Sequence, residues 1–445
     1  MKRHSSLDTL SLALLATVSF EAVGQNAVAP AGDPAVPAEQ FWNWHVQNTD
    51  IFQYKPAFPA AYSAQNSLAP NSEIKNTESV DIMLGARLWR GAEVHADALV
   101  WQGFGLGETL GVENFPSGEA YRVGTYEPNI NLCRFFIRQT FGFGGEQESI
   151  GDDGQHLASK VDISRLTVTV GKMSAKDIFD NNTYANDPRT QFMAWGLAAD
   201  EAWDYPADSL GYQTGIALEL NQPKWTYRYG FYQVPKYSNG LAQDENYLKA
   251  WSMVTEVERR WALGSHPGAV RGLAYLEQAH EGSYADVVKN PALSIQQTRA
   301  YRNKYGFGLN AEQEVCTNLG VFTRLGWSDG RNEAWAFADV DCSLSGGFSI
   351  KGAFWGRPDD TFAAAAAFSG LSSVHQRFFE AGGTGILAGD GRLNYAWEKS
   401  METYYDFQII RGVHATTDLQ FIADPSFNLD RGPIYVISAR LHLSF

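Results

Sequence analysis

The sequence is poor in the features that mark helical membrane proteins, disulfide scaffolds and nucleic-acid binders. Past its first two dozen residues, no apolar run reaches the roughly 18 to 20 residues that a membrane-crossing helix needs. Three cysteines (Cys133, Cys316, Cys342) in 445 residues cannot build a disulfide framework, and they lack the CxxC spacing or paired histidines of a zinc site. Lys and Arg form no run and the formal net charge is −15, which argues against a nucleic-acid or anionic-lipid partner. The glycine-rich piece Gly103–Gly107 does not match GxGxxG with a following helix, neither HExxH nor GxSxG occurs, and the nine histidines are scattered. No enzyme and no cofactor is expected.

What is abundant is Gly (42), Tyr (20), Phe (26) and Trp (13), a mixture that favours strands and turns. The chain opens with Met1-Lys2-Arg3-His4, an apolar stretch from Leu10 to Phe20, then small residues at Ala22 and Gly24. This order predicts a secretory signal peptide over 1–24. An Ala/Pro-rich stretch follows, read as a flexible periplasmic lead-in over 25–40, with one folded domain over 41–445.

Within that domain, apolar and polar residues alternate over segments of about ten positions, again and again. Val80, Ile82, Leu84, Ala86 and Leu88 share one face, against Asp81, Met83, Gly85 and Arg87. After a tight turn at Arg90-Gly91, Ala92, Val94, Ala96, Ala98 and Val100 oppose Glu93, His95 and Asp97. The same reading sets Cys133, Phe135 and Ile137 against Arg134 and Arg138, and Tyr227 and Phe231 against Arg228. A soluble sandwich also alternates. Mid-strand charges of both signs opposite aromatic-rich faces instead fit a strand with lipid on one side and water on the other.

Connections differ regularly in length, tight at Arg90-Gly91 and Asn221–Lys224, long at Gln102–Ile130, Lys172–Leu210 and Glu281–Ala300. The final segment places Tyr435, Ile437, Ala439, Leu441, Leu443 and the terminal Phe445 on one face. These patterns predict an all-β fold: a transmembrane antiparallel up-and-down β-barrel of about sixteen strands, with short periplasmic turns and long external loops. Its surroundings would be outer-membrane lipid, and Phe445 would be the signal read by the barrel-assembly machinery. A homotrimer is one assembly open to such a barrel.

Longer stretches carry a family resemblance. Gly171–Met193, followed by Glu201–Asp208, and near the end Gly389–Tyr395, Glu402–Tyr405 and Asp430-Arg431-Gly432-Pro433, resemble the carbohydrate-selective porin (OprB) family. The resemblance runs from about Trp42 to the C-terminus. It implies a sixteen-stranded barrel in the outer membrane of a Gram-negative cell through which sugars diffuse passively. A lectin-like barrel with a closed lumen, holding surface polysaccharide, is the alternative, and a barrel-embedded hydrolase a third.

Sugars offer hydroxyl rims and flat CH faces, so a selective lumen needs bidentate polar groups and aromatic surfaces. The inward charges Arg87, Glu93, Asp97, Arg134 and Arg138 are the expected constriction, with Arg228 and Glu256 contributing from later strands. Mixed signs would set up a transverse field. The Lys172–Leu210 segment, with Asp187, Arg189, Trp195, Trp203 and Tyr205, is the candidate loop to narrow the pore. Cys316 and Cys342 flank Asp329-Gly330, a candidate hairpin turn, and could bridge across adjacent strands, provided their Cα atoms lie within about 7 Å.

Overall fold

The computed structural model describes residues 39–120 and 124–445. The expected leader (1–24), and all of the expected lead-in except Glu39 and Gln40, lie outside them.

The described chain forms eighteen strands. These are β1 (Trp42–Lys55), β2 (Glu73–Trp89), β3 (Ala92–Gly103), β4 (Thr125–Gly142), β5 (Gln147–Ile150), β6 (Ser159–Asp162), β7 (Arg165–Met173), β8 (Gln213–Gln222) and β9 (Trp225–Tyr232). There follow β10 (Trp251–Leu263), β11 (His266–Glu281), β12 (Ala300–Cys316), β13 (Leu319–Ser328), β14 (Cys342–Lys351), β15 (Thr361–Gly370), β16 (Glu398–Ile410), β17 (Val413–Ala423) and β18 (Ile434–Ser444). Strands β5 and β6 make a separate ribbon, and the other sixteen close into one antiparallel barrel in chain order, β1 pairing with β18. The terminal residue seals that seam. Phe445 donates its N–H to the Val46 carbonyl (2.9 Å) and accepts from the Val46 N–H (3.1 Å).

Closure follows from the solvent the strands face. Ile82 and Leu84 are 45% and 53% exposed on the outside, whereas Asp81 between them is 1% exposed inside. That is the reverse of a soluble protein, and lipid is the medium in which it is favourable, since the closed ladder leaves no backbone group unpaired. Phe41, Trp42, Trp44 and Trp89 stand exposed at the end carrying the tight turns, where an interfacial aromatic belt belongs. No helix among the described residues is long and apolar enough to cross a membrane.

The turn asymmetry holds with two exceptions. Arg90-Gly91, Pro223-Lys224, Gly264-Ser265, Thr317-Asn318 and Arg411-Gly412 are two-residue links at one end, but there residues 143–164 between β4 and β7 carry the β5–β6 ribbon, and residues 352–360 between β14 and β15 include a short 3-10 turn. The ribbon connection turns back to the barrel wall, where Asn43 donates to Asp152 (2.7 Å) and Arg138 to the Gln155 carbonyl (2.5 Å).

Two readings of the cysteines are corrected. Cys133 does not join Phe135 and Ile137 on the outer face. The β3–β4 register slips at Asp97/Ala98, and the bulge turns Cys133 inward, fully buried with Leu99, Trp101 and Tyr212. Cys316 and Cys342 are both free. Asp329-Gly330 is no hairpin turn, because the tight turn is at Thr317-Asn318 and residues 329–341 form a long loop. Cys316 faces Leu319 at one end of β13 and Cys342 faces Trp327 near its other end. Eight residues of strand separate those levels, about 27 Å at 3.4 Å per residue.

Candidate functional site

The inward faces of β2, β3 and β4 form one continuous wall. Register sets Arg87 opposite Glu93, Glu93 opposite Arg138, and Asp97 opposite Arg134. Period-two geometry then points all five side chains into the lumen. Arg134 bonds Asp97 (2.6 Å) and grips Asp177 with two donors, Nε to Oδ2 at 2.8 Å and Nη2 to Oδ1 at 2.7 Å. Arg138 pairs with Glu93 at 3.2 Å. Arg87 sits apart at the tight-turn mouth, paired with Glu39 (3.3 Å) and donating to the Gln40 carbonyl (2.9 Å).

A second ladder stands farther round the barrel. Arg228 touches Glu219 (3.2 Å), Glu256 (2.7 Å) and Glu258 (3.1 Å), and Arg271 joins Glu258 (2.9 Å) to Glu312 (3.0 Å). The charges expected to generate a transverse field are therefore largely matched pair by pair, which confines their fields to the contact distance.

The segment after β7 folds into the lumen, and its own chemistry explains why. Ser174 and Asp177 form a capping box around the turn Ala175–Asp177, which holds the Asp177 carboxylate toward Arg134. Asp180, at φ 54°, accepts from Arg324 (2.9 Å) and Asn310 (2.6 Å), while its N–H donates to Glu256 (2.8 Å). Burial opposes the charge of Asp180, yet Arg324 and Lys176 hold its pKa down to about 2. Arg324 also donates to the carbonyls of Leu197 (2.9 Å) and Ala185 (2.7 Å). Farther on, Glu402 of β16 accepts the N–H groups of Met193 (2.6 Å) and Ala194 (2.8 Å), and Arg440 of β18 donates to the carbonyls of Pro188 (2.8 Å) and Gln191 (2.7 Å). Charge-assisted bonds of this kind contribute about 1.5–3 kcal/mol each, so several together hold a loop across an open barrel.

The aromatic candidates on this segment turn out to be core. Trp195, Trp203 and Tyr205 are 7%, 3% and 3% exposed. Trp195 stacks on Phe115 (5.6 Å) and Tyr205 on Phe337 (5.0 Å), building a hydrophobic cluster from three loops. They offer no open ring face of the kind a sugar would slide along, because loop-to-loop packing has used those faces. Arg189 lies between Asp81 (3.4 Å) and Glu119 (3.0 Å), and Asp187 accepts the Arg189 N–H (2.9 Å) in a tight turn.

Accessibility separates the ionic residues into two groups. The side chains of Arg87, Glu93, Arg134 and Arg138 keep 10–13% exposure, whereas Asp97, Glu256, Arg324 and Asp180 keep 0–3%. The first group touches water and the second is sealed structure. Glu256 thus serves as an anchor for the loop and for Arg228. Asp177, Asp180, Arg324, Glu402 and Arg440 were not singled out from the sequence; their inward mid-strand or loop-start positions were visible, but their partners lie more than 40 residues away.

The model of the family described as "Carbohydrate-selective porin, OprB family" matches residues 65–445. The chain belongs to that family. As a carbohydrate-selective porin it is an outer-membrane channel, and the reading as a closed lectin-like barrel falls away. Its fold resembles OprB of Pseudomonas putida at 16% identity, with 91% of this chain and 94% of that one covered and a TM-score of 0.68. It also aligns with the outer-membrane channel DcaP of Acinetobacter baumannii (7% identity, 91% and 97% covered, TM-score 0.49) and with OccK8 (OprE) of Pseudomonas aeruginosa (9%, 92% and 99%, 0.45). No curated protein matches the porin's sequence.

Proposed function

We propose that this porin passes mono- and small oligosaccharides by diffusion along the β2–β4 wall, with the inward Lys172–Leu210 segment as the opposing side. The observation that carries this reading is the ladder of Arg138–Glu93 and Arg134–Asp97, in which Arg138, Glu93 and Arg134 keep contact with water while Asp97 is buried. Such pairs present rows of donors and acceptors that sugar hydroxyls can exchange with in turn, and a neutral solute loses no ionic hydration in doing so. Near-neutral pairing also avoids a strong preference for either ion sign, which suits an uncharged cargo. Arg87, at the mouth, would meet solute before or after the narrow section.

The membrane location is reached after removal of the leader expected over 1–24, and insertion uses the C-terminal strand with Phe445 as its recognition residue. Association into symmetric trimers belongs to the same reading. The deciding experiment is reconstitution in liposomes, with swelling rates compared for a series of sugars, amino acids and salts. Faster swelling in hexoses than in amino acids of equal size is the expected result. Rates ordered by size alone would remove the selectivity, and absent swelling would remove the channel.

A further inference from the structure

The histidines are scattered along the sequence, but the pairing of β17 with β18 sets His414 directly opposite His442. Both residues line a cavity of about 500 Å³ inside the barrel, at its tight-turn end. Directly opposed residues of an antiparallel pair carry Cβ atoms about 4.5–5.5 Å apart, close enough for two imidazoles to reach one ion. Each ring is held from its far flank. His414 Nδ1 bonds Asp406 of β16 at 2.8 Å, and His442 Nδ1 bonds Thr49 of β1 at 2.9 Å. Around the wall the strands run β16, β17, β18, β1, so the two Nδ1 atoms are drawn apart. Nδ1 and Nε2 sit on opposite shoulders of an imidazole, which turns both Nε2 atoms away from those flanks and toward the cavity. An ionised Asp406 can only accept, so His414 carries its proton on Nδ1 and presents the Nε2 lone pair. The Thr49 hydroxyl can accept from His442 in the same way. An oxygen acceptor behind the ring is what fixes the tautomer and aim of a metal-binding histidine. The Gln408 amide lies 3.4 Å from His414 Nε2, a long contact that an ion would displace.

We propose that His414 and His442 form a binding site for a divalent cation of the Zn²⁺, Cu²⁺ or Ni²⁺ class at the tight-turn mouth of the lumen. Imidazole nitrogen suits these ions, whereas Mg²⁺ and Ca²⁺ take oxygen ligands. Among the described residues no group of three or more His, Cys, Asp or Glu side chains is arranged to hold a metal. The ion therefore keeps water in its other positions and exchanges with the lumen, unlike a sealed structural centre with four protein ligands. Arg189, Arg440 and Asp187 lie within electrostatic reach of His442. The guanidiniums are already engaged, Arg440 with the carbonyls of Pro188 and Gln191 and Arg189 with Asp81 and Glu119. The carboxylates of Asp187 and Asp406 offset part of the charge that the ion brings.

The site stands on this geometry and not on which solute the channel passes. Full-length protein without a histidine tag, stripped with chelator, is titrated in detergent micelles with Zn²⁺ by calorimetry and with Cu²⁺ under electron paramagnetic resonance. One Zn²⁺ per chain is expected, and a Cu²⁺ spectrum split by two nitrogen ligands. His414→Gln and His442→Gln should each weaken binding at least tenfold and reduce the nitrogen splitting, whereas His45→Gln at the same mouth should leave both unchanged. Heat-modifiable mobility on gels reports whether each variant is folded, and the two histidines lie on different strands, so failure of one variant leaves the other to decide. Absence of Zn²⁺ binding by the unaltered protein, or binding that neither His414→Gln nor His442→Gln weakens, overturns the site.

Discussion

Replacing Arg324 with alanine should release the inward loop while leaving the barrel closed. Arg324 is 1% exposed and carries the Asp180 pair together with the carbonyls of Asp180, Leu197 and Ala185. Its loss strands a carboxylate that is itself 3% exposed, with Lys176 at 3.5 Å as the cation left nearby. Removing one partner of a buried pair costs about 3–5 kcal/mol, and the lost carbonyl bonds are already part of that figure because such terms do not add. At about 1.4 kcal/mol per tenfold, the docked-to-undocked ratio of the loop falls by roughly two to three and a half powers of ten. The strands keep their ladders, so thermal unfolding in detergent should move little. Single-channel conductance in planar bilayers should rise, with added gating noise, and proteases should cut between residues 174 and 212. Arg324→Lys should restore part of the effect, since lysine supplies the charge without the planar fork. Unchanged conductance and an intact loop under protease would refute the claim that this guanidinium holds the loop in the lumen.

Loop docking should also depend on pH. Burial, reinforced by Asp180, raises Asp200 from 3.8 to about 7, and burial with Glu398 raises Glu201 from 4.5 to about 8. The docked loop therefore retains protons that the free loop releases, so docking is strongest in acid, weakens as pH climbs from about 4 to about 8, and is level above that; gating noise against pH should show this rise, and Asp200→Asn should flatten its lower part. Arg134→Ala leaves Asp97 and Asp177 unmatched, so reversal potentials in a salt gradient should shift toward cation preference, whereas an unchanged potential would place Arg134 off the conducting path. Cys316 and Cys342 are free and lie at opposite levels of the barrel, so mobility on denaturing gels should be the same with and without reductant, and the buried Cys133 should react with thiol reagents only after unfolding. Deleting Phe445 removes both seam bonds to Val46, and the amount of folded, heat-modifiable barrel in outer-membrane fractions should drop several-fold.

Strand number, the lipid face and the two kinds of connection were legible in the sequence because each is a local property. A period of two is imposed by the pleat itself, and it sorted Ile82 from Asp81 without any knowledge of neighbours. Leu443 and Phe445 announced the last strand in the same way. The failures lie where one residue breaks that period or where the partner is distant. The bulge at Cys133 cannot be seen in its own strand, because the slip is defined by pairing with β3. Cys316 and Cys342 flank Asp329-Gly330 evenly in sequence, but that dipeptide begins a loop, so the residues end at opposite levels of the barrel.

The amino-acid order therefore determined that a barrel forms and which side of each strand meets water, since both follow from alternation and from the need to pair every backbone group in lipid. Tertiary structure alone decided which inward charges stay in contact with water and which are sealed. Arg134 and Arg324 are equally inward arginines in one dimension; the folded loop, brought to them by Asp177 and Asp180, makes one part of a wetted wall and the other a buried clamp.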